Sequence, residues 1–176
     1  QELRLRSMQL QIEPAAKVTW AQDVSGNSVA IATFTTQSDT LVIESVAEVE
    51  LHAAMWPVFE VAAAAIHYPF QYGPEEWIDL GALANPQHAD TAGRLRTWSR
   101  NFVRSTPTDT LALLKDINAG VLAWVGYQSR VEEGTQSPVQ TLDRGWGSCR
   151  DMAVLFVEAV RTLGFGARIV SGYLHN

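Results

Sequence analysis

The sequence predicts an α+β protein: a small antiparallel β-sheet or sandwich, a helical connector and a C-terminal helical segment. Two observations carry this prediction. Over the first fifty residues, short runs alternate between apolar and polar residues, a period of two that is typical of strands with one buried face. After residue 107 the apolar residues follow the 3.6-residue period of helices. The predicted domains are therefore residues 1–51, 52–106 and 107–176.

Strand-like runs fill the first domain. They cover residues 3–6, 8–12, 29–34 and 41–46. Turn-forming residues follow the second run and separate the later ones, at residues 13–14, 23–27 and 38–39. We therefore expect short antiparallel strands joined by tight turns.

The connector is predicted to hold one or two helices. Pro69 and Pro74 exclude a regular helix across residues 67–74, because each proline restricts its own backbone and that of the residue before it. Helical spacing then appears at residues 77–83 and 92–103. Four tryptophans lie at helical or apolar spacing and are predicted to be core residues: Trp56, Trp77, Trp98 and Trp124.

The last domain opens with a helix that Thr108 or Asp109 can cap. Its apolar residues are Leu111, Leu114, Ile117, Val121, Leu122 and Val125. Pro138 suits the first position of a short second helix after Ser137. A long helix is predicted from Cys149 to about Leu163, with residues 164–166 as its stop and residues 168–174 as a strand.

Composition excludes several classes of function. Apolar residues make up 47% of the chain and charged residues 18%, which is typical of globular proteins. The net charge is −6 without a cluster of Lys or Arg, so a nucleic-acid partner is not expected. No apolar run is long enough to span a membrane. We expect a cytoplasmic protein, although a trimmed signal peptide would leave no trace.

Cys149 is the one cysteine, which excludes an intrachain disulfide and a multi-cysteine metal site. No metal and no cofactor are predicted. Ser148 and Asp151 are spaced as a capping box, with Ser148 at the N-cap and Asp151 at the third helical position. Cys149 then lies in the first turn, where the helix dipole favours a thiolate. The alternative is that Cys149 is a small buried hydrophobic residue.

Residues 145–151 (GWGSCRD) and 163–174 (LGFGARIVSGYL) resemble the bacterial transglutaminase-like cysteine protease family. Residues 23–29 and 41–49 are similar to its N-terminal β-rich domain, and residues 68–72 to its connector. The resemblance implies the N-terminal half of a papain-like or transglutaminase-like core. Because family members have a turn between their first two strands, we expect a loop to be missing near residues 5–7.

The resemblance also implies a mechanism. Cys149 would attack the carbonyl of a peptide or side-chain amide, a histidine would activate it, and an acidic residue would orient the histidine. The partner would be a peptide or protein substrate, with hydrolysis and transamidation both open. Trp146 and Tyr173 are candidate residues of the substrate cleft, although Trp146 can equally cover the core. Ser148 and Asp151 would be structural caps.

Ionic partners are predicted for one more residue near this segment. Arg168 is expected to pair with Asp151 or Glu158.

The histidines do not fit this mechanism. Three of them precede Cys149, and His175 follows it too closely to lie on a later strand; the four are His52, His67, His88 and His175. We therefore expect the catalytic His and Asp to lie downstream and the fragment to be inactive alone. The alternative is a non-catalytic, protein-binding relative with a vestigial Cys149. An unfinished core would leave apolar surface exposed, so oligomers are possible.

Overall fold

Strands and helices occupy separate parts of the chain in the computed structural model, which describes residues 3–24, 26–52 and 60–172. Two units are distinguished, Gln1–Phe59 and Glu60–Asn176. The first unit holds four strands: β1 (Leu3–Glu13), β2 (Lys17–Gln22), β3 (Ser28–Thr33) and β4 (Val42–Leu51). Strand β1 pairs with β4 and β2 pairs with β3, each antiparallel. The predicted α+β class with small antiparallel sheets is confirmed.

Strand β1 covers residues 5–7, where a missing loop is expected. It runs without interruption through the two predicted strands, with no turn between them, and the expectation of a missing loop near residues 5–7 stays a prediction. The register against β4 shifts between Leu5 and Ser7, which marks a bulge rather than a turn. Apolar side chains of this unit, such as Trp20 and Ile31, remain about half exposed. The sandwich arrangement stays a prediction.

The second unit is built on helices. They are α1 (Pro74–Leu80), α2 (Arg94–Arg100), α3 (Thr110–Trp124), α4 (Pro138–Arg144) and α5 (Cys149–Thr162). Four two-residue strands accompany them: β5 (His67–Tyr68), β6 (Thr108–Asp109), β7 (Gly126–Tyr127) and β8 (Trp146–Gly147). Strand β5 pairs antiparallel with β6, and β7 pairs parallel with β8. None of the described helices is long and apolar enough to cross a membrane.

Helix α5 is the centre of this unit, because α2, α3 and α4 all pack against it. From Asp151 to Thr162 none of its residues is exposed, as its apolar sequence predicts. Leu155 and Ala159 are completely buried among residues of the other helices. The helix therefore ends in the core at its C-terminal side and reaches the surface at its first residue, Cys149.

Helix α3 shows where periodicity succeeds and fails. The Asp109 carboxylate accepts the Ala112 N–H at 2.7 Å, so Asp109 is the cap rather than Thr108. Leu113, Ile117 and Val121 form the buried stripe. Leu122, which is among the apolar residues at the helical period, is 66% exposed and does not belong to that stripe. At about 100° per residue it lies on the face opposite Leu113.

The tryptophans that are predicted to be core residues are buried in one case and half exposed in two others. Trp98 is buried in the core, as predicted. Trp77 and Trp124 are each 49% exposed, so their prediction as core residues is wrong. Trp124 lies at the rim, where its indole N–H donates to the Leu142 carbonyl at 3.0 Å. Trp56 lies outside the described residues.

The connector is attached to α5 through buried polar groups. The Glu158 carboxylate accepts the main-chain N–H groups of Gln87 and His88 at 2.8 and 2.9 Å. Arg161 donates to Glu158 at 2.7 Å and also to the Leu83 carbonyl. The Glu158 carboxylate is thus paired with Arg161 and with the main chain of the connector.

The prediction for Arg168 is wrong, because both expected partners are held by other arginines. Arg161 pairs with Glu158, and Arg130 pairs with Asp151. Arg168 itself is exposed. The described part of the predicted strand, residues 168–172, is not a strand, because no described segment forms a hydrogen-bonded ladder with it.

Candidate active site

The turn before α5 is held by a short parallel pairing. Helix α4 ends at Gly145, whose φ of 69° lies in the left-handed region that favours glycine. The Gly126 N–H donates to the Gly145 carbonyl at 2.8 Å, and the Gln128 N–H donates to the Gly147 carbonyl at 2.9 Å. The chain therefore leaves β8 in a fixed direction, and Cys149 follows as the first residue of α5, with its side chain exposed.

Asp151 fixes this turn from within. Ser148 is the N-cap residue and Asp151 the third residue of α5. The Asp151 carboxylate accepts the Ser148 N–H at 2.9 Å and the Ser148 hydroxyl at 2.7 Å. Cys149 lies between these two residues in sequence, so its backbone is held on both sides. Its own N–H is in the first turn, where helix N–H groups have no partner within the helix.

The same carboxylate also accepts hydrogen bonds from residues 130–136. Arg130 donates from Nε at 3.1 Å and from Nη2 at 3.3 Å. Gln136 donates its main-chain N–H at 2.8 Å and its side-chain amide at 3.3 Å. Burial alone would raise the pKa of Asp151, but the hydrogen bonds from Gln136, Ser148 and Arg130 outweigh it and hold that pKa well below its ordinary value. Asp151 is therefore a buried carboxylate at neutral pH.

Glycine at residue 147 is a consequence of this packing. A Cβ atom there would lie 3.0 Å from the Asp151 Cβ and 3.4 Å from the Thr141 methyl carbon. The Asp151 Cβ is attached directly to the helix backbone and has little freedom to move away. Gly147 therefore allows the strand before Cys149 to approach α5 closely.

Arg150 attaches the other side of the thiol to the same residues. Its guanidinium donates to the Arg130 carbonyl at 3.4 Å and to the Glu132 carbonyl. Residues 130–136, which we call the thiol-side loop, are thus attached through Asp151 and through Arg150. Cys149 directly precedes these two residues in sequence.

Trp146, a predicted cleft residue, is partly buried beside the turn. The Arg144 guanidinium lies 5.3 Å from the centre of the Trp146 ring. The Trp146 carbonyl accepts a hydrogen bond from the Gln136 side-chain amide at 3.3 Å. Arg144 also donates to the Gln136 side-chain oxygen at 2.9 Å. Tyr173, the other cleft candidate, lies outside the described residues.

Sequence reasoning missed Arg130 and Gln136. Both lie in or beside a polar stretch that reads as an ordinary loop, and nothing in their spacing indicates a buried partner 15 or 21 residues later. The position of Gln136 directly before the Ser137 cap of α4 was the only local signal. A close approach of loop and helix is a tertiary property.

The contacts recorded for the described histidines are made with residues other than Cys149. His52 pairs with Glu50 at 3.3 Å, in the first unit. His67 is paired with Asp109 in the β5–β6 register, and His88 donates its main-chain N–H to Glu158. His175 lies outside the described residues. Within residues 3–24, 26–52 and 60–172, no cluster of His, Cys, Asp and Glu could hold a metal ion.

An apolar groove runs along the same face of α5 as Cys149. Met152, Ala153, Phe156 and Val157 line it and follow Cys149 at helical spacing of three, four, seven and eight residues. Its volume is about 310 Å³, and the opposite wall includes residues 168–170. The groove therefore lies on the helix face that carries the thiol.

Comparison with known proteins agrees with these features. Residues 96–176 match the family model of the transglutaminase-like superfamily, and residues 1–50 match that of the bacterial transglutaminase-like N-terminal region. No curated protein shows a significant match.

The fold is similar to the crystal structure of a "putative cysteine protease" from Cytophaga hutchinsonii, with a TM-score of 0.66 and 16% sequence identity. The similarity covers 92% of this chain and 54% of that one, so the chain spans about half the length of its structural relative. By these matches the chain is similar to a bacterial transglutaminase-like N-terminal region over residues 1–50 and to a transglutaminase-like core over residues 96–176.

Proposed function

We propose that Cys149 is the nucleophile of a thiol acyl-transfer enzyme, a peptidase or transglutaminase-like protein that acts on peptide or side-chain amides. The observation that carries the proposal is an exposed cysteine at the first position of a buried helix, inside the region that matches the transglutaminase-like core. At this position the helix dipole stabilises a thiolate, and the cysteine is accessible to solvent.

The chemistry would proceed through a thioester. The Cys149 thiolate would attack the amide carbonyl, and the N–H of Cys149 would donate to the oxygen that becomes negative. The amine would leave with a proton from a histidine. Water as the acceptor would give hydrolysis, and a second amine would give transamidation. The substrate would be a peptide or protein in both cases.

We propose that the histidine and its orienting carboxylate lie downstream of residue 176, and that residues 1–176 alone are inactive. The recorded contacts of His52, His67 and His88 support this, because none of them is made with Cys149. The groove beside Met152 and Phe156 would be the surface on which the remaining part of such a core packs.

The test compares residues 1–176 with a polypeptide extended to the full length of its structural relative. Both are assayed for release of a peptide amide product and for incorporation of a fluorescent primary amine into a protein substrate. We expect turnover by the extended polypeptide alone, and its loss in Cys149→Ser. Equal turnover by the short and extended forms would refute the need for downstream residues.

A second candidate is a non-catalytic, protein-binding relative in which Cys149 is vestigial. The exposed apolar surface of residues 122 and 169–170 favours it. Alkylation separates the two, because a helix-terminal thiolate reacts with iodoacetamide well below pH 8, whereas an inert thiol does not. We also propose the three-part division at residues 51 and 106 and a cytoplasmic setting; the single cysteine is consistent with a reducing compartment.

A further inference from the structure

The polar residues around Cys149 converge on one ion pair. Arg130 Nε lies 3.1 Å from Asp151 Oδ2, and the two side chains are 11% and 0% exposed. Described donors make six hydrogen bonds to the Asp151 carboxylate, four of them from the thiol-side loop. A buried pair of this kind is costly to desolvate and adds little to stability over an apolar pair of the same shape. Stability alone therefore does not explain why a buried ion pair lies beside an exposed thiol.

The pair joins the two pieces of backbone that border the thiol. Asp151 holds the Ser148 N–H and hydroxyl, so it fixes the turn in which Cys149 lies. Arg130 belongs to the thiol-side loop, and its carbonyl accepts a hydrogen bond from Arg150, the next residue after the cysteine. Movement of either partner would shift the loop relative to the sulfur.

The pair also controls the charge beside the sulfur. Asp151 lies two residues from Cys149 on the same helix and carries a full negative charge. Such a carboxylate alone would disfavour a thiolate. The Arg130 guanidinium beside it cancels that effect, because two opposite charges in contact have little field at a distance.

We infer that Arg130 and Asp151 are a positioning pair for Cys149: they fix the thiol-bearing turn against the thiol-side loop, and as a neutral pair they add no net charge beside the sulfur. This assignment rests on the function proposed above. Neither residue touches the reacting atoms, and both act through the backbone and the local charge at Cys149.

The reactivity of the thiol distinguishes charge cancellation by the pair from a purely structural role of the pair. When Asp151 is neutralised, the Arg130 cation remains near the turn and favours the thiolate. When Arg130 is neutralised, the carboxylate remains and disfavours it. The two single variants should therefore change the reactivity of the thiol in opposite directions, whereas loss of packing alone would change it in the same direction.

Other charged residues lie on α5, on α4 and in the thiol-side loop, and none of them is substituted in any variant. Arg150 belongs to α5, and Glu132 and Glu133 belong to the thiol-side loop, with Glu132 at 3.7 Å from Arg130 Nη1. Arg144 of α4 reaches the loop through Gln136. Because these residues are present in every variant, the comparison at one pH reports the substituted side chains, together with the Glu132 contact that is lost wherever Arg130 is replaced by Gln.

The experiment measures the second-order rate of iodoacetamide alkylation of Cys149 in the whole chain at pH 7 and low salt. For Asp151→Asn we expect a rate increase of about threefold or more, and for Arg130→Gln a decrease of similar size. The double variant R130Q/D151N should return to within about twofold of the original rate, since both charges are removed. Arg94→Gln, which removes one partner of the exposed pair with Asp143, is the control and should leave the rate unchanged.

Arg130→Lys keeps the experiment informative if the neutral variants are poorly folded by circular dichroism. Lysine retains the charge, so a rate within about twofold of the original supports the pair, and a decrease of about threefold or more overturns it. Shifts of the two neutral variants in the same direction would also overturn it. A thiol in the unaltered chain that reacts no faster than a cysteine peptide would count against the proposed function instead, and the opposite shifts would remain measurable.

Discussion

Arg161 Nη1 lies 2.7 Å from Glu158 Oε1, and both side chains are almost completely buried on α5. Glu158 also accepts two main-chain N–H groups of the connector, while Arg161 donates to the carbonyls of Leu83 and Ala167. One ion pair thus organises three segments of the chain around the central helix.

Removal of Glu158 should be strongly destabilising, because it leaves a buried guanidinium without its carboxylate. We expect Glu158→Ala to lower the free energy of unfolding by about 3–5 kcal/mol. Asp143→Ala is the matched control, since it breaks an exposed pair with Arg94 and should cost less than about 1 kcal/mol. Urea unfolding of both variants measures the difference, and equal costs would contradict the buried network.

Leu155 should be the most sensitive apolar position of α5. It is fully buried, and Leu155→Ala leaves a cavity that costs about 2–5 kcal/mol of unfolding free energy. Leu122→Ala makes the same change at a side chain that is 66% exposed, and should cost well under half as much. Thermal unfolding of the two variants checks the ranking, which a larger loss for Leu122 would reverse.

Gly147→Ala should strain the turn before the thiol. Its methyl group would lie 3.0 Å from the Asp151 Cβ, and we expect a cost of about 1–3 kcal/mol together with a changed alkylation rate of Cys149. Gly172→Ala adds the same methyl group where no atom lies within 4 Å and serves as the control. A Gly147→Ala variant as stable as the Gly172→Ala variant would show that α5 and β8 have room for an added methyl group between them.

Acid should destabilise the fold through Asp151. Its pKa is lowered in the folded state, so its contribution to stability is complete above the pKa of the unfolded chain, about 4, and is lost as pH falls below that value. We expect the free energy of unfolding to fall by up to about 1.4 kcal/mol per pH unit below pH 4 from this residue. Asp151→Asn lacks that part of the pH dependence. Unfolding curves at pH 3 and pH 6 measure it, and parallel losses in both proteins would assign the acid sensitivity elsewhere.

Local sequence signals predicted the helices well. Helix α5 follows from its cap and apolar run, and α4 from Ser137 and Pro138, because caps and turns act within a few residues. The continuity of β1 was missed because it depends on pairing with β4, which begins only at Val42, well after β1 ends at Glu13. A period of two indicates a strand but does not say whether two neighbouring runs are joined.

Long-range polar partners were not predictable in the same way. Several arginines could reach Asp151, and no local pattern favoured Arg130 over Arg168. The exposed Trp77 and Trp124 show the same limit, since apolar spacing alone does not reveal which helix faces meet. The placement of Cys149 at a helix start was local information; the buried network that supports it was not.

The residues after α5 reach back to the connector, and this decides where the molecule can be shortened. Tyr68 donates its hydroxyl to the Leu163 carbonyl at 3.1 Å, and its ring stacks on Phe165 at 5.4 Å. Tyr72 accepts the Gly166 N–H at 2.9 Å. A fragment that starts at residue 96, where the match to the transglutaminase-like core begins, would lose all of these contacts. The boundary of the family match is therefore not a boundary for cutting the chain, and a fragment meant to fold must begin before residue 67.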